Sequence, residues 1–169
     1  MGRRDRQGAV SRRAGGLFAL VALAAAAGHP LAFRFEPSAQ TELRRLWVES
    51  TGARTERVAC LAGQIVSDTV RVTRILPLTD WADSLAVSAQ QSLDECGPPQ
   101  WQGTVHTHVA VHGGGEPYSR FSGADRGVNR LWWRRWNTEG MFCVVYSATD
   151  AYCEIDGPEG LAIYPRSSY

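Results

Sequence analysis

The alternation of apolar and polar positions becomes regular from Pro30 onward. Residues 31–36 alternate around Phe33 and Phe35 and predict a strand. Pro37 and Ser38 then open a helix through about Ser50, with Ser38 as its N-cap. Leu43, Leu46 and Trp47 fall at helical spacing, so this helix is amphipathic and packs on a sheet. Thr51-Gly52 is read as its break. Residues 56–65 form an apolar run expected as a buried strand, and residues 70–78 are its hairpin partner. Residues 79–100 are polar and irregular, with a short helix near 84–93, and Gly97-Pro98-Pro99 is a break.

Residues 101–109 predict a central strand, and a Gly-rich loop follows it. Ser122 is placed to cap a helix over 123–137. On that helix Val128, Leu131, Trp132 and Trp136 are assigned to the sheet-facing side, and Arg126, Arg130, Trp133 and Arg134 elsewhere. Residues 141–148 and 151–155 predict a hairpin around Thr149-Asp150. This order of strands and helices suits one α/β domain, a mixed β-sheet flanked by helices, over residues 30–157, with 158–169 as a C-terminal tail.

The length of 169 residues allows one domain with a real core rather than two. Net charge is +1, but Arg3, Arg4, Arg6, Arg12 and Arg13 concentrate basic character at the start. Residues 14–169 hold 13 basic and 16 acidic side chains, which makes a nucleic-acid partner unexpected. The Arg-Trp run on the second helix does not change that, because no nucleic-acid motif accompanies it. After the basic start come about a dozen apolar residues and a small-residue exit across 15–28, the pattern of a secretory or membrane-anchoring leader over residues 1–29. A buried N-terminal helix and a start-site artefact are the alternatives. The localisation expected is exported or membrane-associated with the leader, cytoplasmic without it, and any membrane contact is through the leader alone. Every basic residue is Arg, so the chain offers no lysine for Schiff-base chemistry. Cys60, Cys96, Cys143 and Cys153 form no CxxC pair, which argues against a cysteine zinc site. Cys143 and Cys153 flank the last hairpin turn, as a cross-strand disulfide or as two small buried hydrophobes.

The chemistry concentrates at His106-Thr107-His108. Residues two apart in a strand project from one face, so two imidazoles converge as a pair of metal ligands. Alone, such a pair is as readily two surface histidines. Ser122-Gly123-Ala124-Asp125 changes this, because a helix start just past the loop can return Asp125 over the strand end as a third, oxygen ligand. Three ligands with an open fourth position describe a catalytic zinc site. The plainer readings, an N-cap for Ser122 and a first-turn acid for Asp125, are compatible with it.

With Glu56 upstream, these residues resemble the JAMM (JAB/MPN) zinc metallopeptidases, which carry a Glu, then His-x-His, then Ser-x-x-Asp. Glu56 also leads into a Leu61-Ala62-Gly63 segment similar to the family's. The resemblance covers roughly residues 31–156. It implies a JAB/MPN-like fold, one Zn2+ per chain on His106, His108 and Asp125, Glu56 as general base toward the attacking water, and Ser122 as hydrogen-bond donor to the developing oxyanion. It implies hydrolysis of peptide or isopeptide bonds in a protein or peptide substrate, such as a ubiquitin-like or small carrier protein. Two departures stand out. Val109 follows the second His where members have Pro, and 13 residues separate His108 from Ser122, a longer gap than is usual. That loop reads either as a flexible lid or as the source of an alternative ligand, His112. The rival readings are an inactive MPN-like interaction module and an unrelated zinc hydrolase. Composition and motifs leave the oligomeric state open.

Overall fold

The computed structural model describes residues 32–78, 91–157, 160–163 and 167–168. Strand β1 (Ala32–Phe35) runs into helix α1 (Pro37–Ala53), followed by β2 (Val58–Val66) and β3 (Thr69–Pro77). Then come β4 (Gly103–Thr107), α2 (Gly123–Trp136), β5 (Gly140–Val145), β6 (Asp150–Gly157), β7 (Gly160–Ile163) and β8 (Ser167–Ser168). They form one sheet in the order β1-β3-β2-β4-β5-β6-β7, with β8 also pairing with β6. The pairs β1–β3 and β4–β5 are parallel and the others antiparallel. The chain is therefore a single α/β domain built on a mixed sheet.

Both faces of this sheet are covered. Beneath α1, the fully buried Leu43 and Leu46 pack with Ala59, Leu61, Val105 and Val145. Beneath α2, Trp132 packs with Phe142, Val144 and Tyr152. Alternate residues of the same strands supply the two layers, as a pleated sheet requires. Strand β4 lies in the middle and approaches β5 closely. A Cβ at Gly103 would run into the Met141 backbone, so only glycine fits there.

Several boundaries differ from the sequence expectation. Helix α1 is capped by Glu36, with Pro37 in the first turn where its missing N–H costs nothing. Ser38 lies inside the helix and donates instead to the Thr73 carbonyl (3.3 Å). The helix continues through Gly52 to Ala53 and closes at Arg54 in the left-handed region. One glycine costs only about 1 kcal/mol in a helix, and the last turn is held from outside, because buried Ser50 bonds to Thr107. Of the short helix expected near 84–93, residues 84–90 lie outside the described residues, and residues 91–95 are helical. Two segments of the expected C-terminal tail, β7 and β8, are strands of the sheet. The proposed leader lies outside the described residues.

The buried face of α2 is also rotated from the expected one. Leu131 is exposed, whereas Asn129 and Trp132 are buried and Trp133 and Trp136 pack on the core. Arg126 turns inward and pairs with fully buried Glu154 through two 2.8 Å hydrogen bonds. A buried carboxylate on β6 demands a cation, so polar positions of the helix face inward and an apolar one is left outside.

All four cysteines are bonded. Cys143 and Cys153 oppose each other directly across β5 and β6, and Cys60 on β2 joins Cys96, a pairing the spacing did not indicate. The bridges close loops of 36 and 10 residues, which in the chain-entropy model restrict the unfolded state by about 4 and about 3 kcal/mol. Reduction is expected to lower the melting temperature. In urea unfolding the Cys60→Ala/Cys96→Ala protein should lose at least as much stability as the Cys143→Ala/Cys153→Ala protein.

Candidate metal centre

Strand β4 pairs antiparallel with β2, and Val58 stands opposite His106. The Thr107 N–H donates to the Arg57 carbonyl (3.0 Å), so the same register continues past the strand end and sets Glu56 opposite His108. Directly opposed residues share a face of the sheet. Glu56, His106 and His108 thus come to one side, although 50 residues separate the glutamate from the first histidine.

Thr107 points the other way and fixes this end of the strand. Its hydroxyl lies 2.7 Å from the Ser50 hydroxyl of α1 and accepts from the Arg57 N–H (2.9 Å). His108 remains in the sheet beyond β4, because its N–H donates to the Val145 carbonyl (2.8 Å).

Asp125 arrives from α2. Ser122 is the N-cap: its Oγ accepts from the Asp125 N–H (3.2 Å), and its own N–H donates to Asp125 Oδ2 (2.6 Å). This reciprocal capping holds the carboxylate at the first turn. Asp125 Oδ1 lies 3.4 Å from His106 Nε2, and Oδ2 lies 3.4 Å from His108 Nε2. The two Nε2 atoms are 3.0 Å apart. The next residue, Arg126, is anchored by Glu154, so the start of the helix is pinned on both sides of the ligand.

The donor set fits a metal ion. Two imidazole nitrogens stand 3.0 Å apart, each 3.4 Å from a different oxygen of one carboxylate, and one ligand atom from each residue falls within 4.8 Å of the others, a set able to close on a cation. Zinc–ligand bonds of about 2.0–2.1 Å at tetrahedral angles put ligand atoms about 3.3 Å apart. His108 is already oriented for this: its Nδ1 lies 2.8 Å from the Tyr118 carbonyl, which can only accept, so the proton sits on Nδ1. Nε2 faces Asp125 Oδ2, which draws a proton onto it in the absence of a cation; a bound metal would take the place of that proton. Among the described residues these three side chains form the group able to hold a metal. His112 is not in it. It stacks on Tyr118 with ring centres 3.7 Å apart.

Electrostatics couples the four groups. Burial works to raise the Asp125 carboxyl, but hydrogen bonds from His106 and His108 prevail and hold it far below the usual carboxylate range. Burial works to lower His108, yet Asp125, the Tyr118 carbonyl and Glu56 together raise it. Burial pushes Glu56 above the usual carboxylate range against the opposing pull of His108 and His106. Glu56 is half-buried, and its Oε2 has no hydrogen-bond partner. A cleft of about 480 Å³ opens beside these groups, lined by Glu56, His108, Ser122 and Asp125 and by the loop from His112 to Phe121.

That loop is folded rather than open. Val111 and Pro117 form a β-bridge, the His112 N–H donates to the Glu116 carbonyl (2.8 Å), and Gly115 turns with φ +84°. A side chain would be strained at that φ, which accounts for a glycine there. Phe121 closes the base of the loop, 5.7 Å from the His106 ring. Sequence reasoning missed Tyr118, Thr107 and Ser50. Tyr118 acts through its backbone carbonyl, and Thr107 and Ser50 act from the far face of the sheet; no spacing rule marks such contacts.

No protein-family model matches this chain, and no curated protein does. Among solved structures, a protein of Desulfitobacterium hafniense determined in solution is similar over 79% of this chain and 89% of its own, at 15% identity and a TM-score of 0.45.

Two substitutions test how the centre is supported. Thr107→Val removes the acceptor of the Arg57 N–H and the partner of Ser50. It should cost about 1–3 kcal/mol in chemical denaturation and weaken metal binding about 10- to 100-fold in a chelator competition. Arg126→Met strands the Glu154 carboxylate and should cost about 3–5 kcal/mol. Circular dichroism melts of both variants against the parent protein provide the check.

Proposed function

We propose that this protein is a zinc-dependent metallopeptidase of the JAMM type, with a JAB/MPN-like fold, that hydrolyses peptide or isopeptide bonds. The observation that carries this reading is the placement of Glu56. A carboxylate remote in sequence shares the sheet face of His106 and His108 through strand register, lines the same cleft as Asp125, and keeps one oxygen unpartnered. An inactive module or a plain structural metal site has no need of such a group.

His106, His108 and Asp125 would hold the zinc. When bound there, zinc supplies Lewis acidity that polarises a scissile carbonyl and lowers the pKa of a water. Glu56 accepts the proton of the attacking water, aided by a carboxyl that burial has already made more basic, and returns it to the leaving amine. Ser122 uses its Oγ as acceptor for the Asp125 N–H, which leaves its O–H to donate to the oxyanion. Asp125 stays ionised, and Tyr118 keeps the His108 proton on Nδ1.

We also read the chain as exported. Two disulfides suit an oxidising compartment, and the leader pattern of residues 1–29 agrees with them. In that compartment the substrate is a protein or peptide met outside the cytoplasm.

Metal analysis of the purified protein should give about one zinc per chain. His106→Ala, His108→Ala and Asp125→Ala should each remove it or weaken it strongly, and His112→Ala should keep it. Glu56→Gln should retain zinc and fold while activity on a peptide library falls by about two to four orders of magnitude. Full zinc occupancy in the double histidine variant, or near-full activity of Glu56→Gln, would refute the assignment.

A further inference from the structure

Arg120 stands at the cleft and is not used by the chemistry described above. Its guanidinium carbon lies over the Tyr152 ring, 4.5 Å from the centre. Tyr152 meets Phe121 at 5.9 Å, and Phe121 meets His106 at 5.7 Å, so a chain of rings connects Arg120 to the metal ligands. Contact with the ring face and with the Tyr152 hydroxyl restrains the guanidinium and leaves most of its five N–H donors free. Among the described residues no carboxylate pairs with Arg120, whereas neighbouring Arg126 is committed to Glu154.

The charges around the cleft give this cation a meaning. Arg120 puts a positive charge on the cleft wall, and the N-terminus of α2 adds to the same sign. An arginine held in place with free donors beside a reaction centre suits a planar anion taken up in a bidentate manner.

We propose that Arg120 forms a carboxylate subsite, so that the substrate carries a carboxylate close to the bond that is cut. This rests on the metallopeptidase reading. The carboxylate is either the free C-terminus of a peptide or an acidic side chain. The stacked His112 and Tyr118 line the same cleft and offer ring surface to the rest of the chain.

The test uses the zinc-loaded full chain and three probes: N-acetyl-trialanine with a free carboxylate, its C-terminal amide, and the amide of N-acetyl-Ala-Asp-Ala. Dissociation constants are measured by calorimetry for the parent protein, Arg120→Gln and Arg120→Lys, with zinc content determined for each. At least one carboxylate probe should bind about tenfold or more tightly than the neutral amide. Preference for the free C-terminus identifies a carboxyl-terminal subsite, and preference for the aspartate identifies a side-chain subsite. Arg120→Gln should abolish the preference with zinc unchanged, and Arg120→Lys should reduce it severalfold, since it keeps the charge and loses the fork. A preference that survives Arg120→Gln would mean that the metal itself binds the carboxylate and would overturn the subsite, as would no preference in the parent protein or loss of zinc from both variants. Absence of zinc from the parent protein would instead overturn the metallopeptidase reading, and the subsite with it.

Discussion

The register between β2 and β4 is the constraint on which the site depends. With Val58 opposite His106, the residue two positions before Val58 falls opposite the residue two positions after His106. A slip of one residue would send Glu56 to the far side of the sheet, because side chains alternate. The register is protected from both sides. Apolar residues of β2 and β4 bury beneath α1, and the hydroxyl of Thr107 bonds at once to α1 and to β2. The strand that presents two imidazoles on one face is thus locked by the single residue between them on the other.

A second constraint acts from above the sheet. Glu154 is fully buried, and only a cation brought close can make that tolerable. Arg126 supplies it, and in doing so it fixes the rotation of α2 about its axis. Asp125 precedes Arg126, so an ion pair on the far side of the helix start sets where the Asp125 carboxylate points. The cost is visible on the helix, where Leu131 faces solvent and Asn129 is buried. Local rules of burial are broken in the element that serves the site, the usual place for such conflicts.

Much of this was legible in the sequence. The alternation around Phe33 and Phe35, the 56–65 and 70–78 hairpin and the Ser122 cap emerged close to their observed places, since each rests on local periodicity or capping chemistry. What was not legible depends on partners distant in sequence. The last turn of α1 survives Gly52 because Ser50 reaches Thr107, and the inward face of α2 follows from Glu154 on another strand. The Cys60–Cys96 pairing needs the path of a segment that spacing does not describe. At the site, the His pair and Asp125 were readable as a set, whereas the Tyr118 carbonyl behind His108 carries no side-chain signature.

Asp125 serves two partners with one carboxylate. Its Oδ2 receives the Ser122 N–H that opens α2, and both of its oxygens face imidazoles. Occupancy of the centre by a cation and order at the start of the helix would therefore be thermodynamically linked through that one carboxylate. A cation that draws on Oδ2 changes how firmly the first turn is closed. The backbone amides of residues 122–125 thereby act as an internal gauge of the centre, with their exchange against solvent deuterium following whatever is bound there.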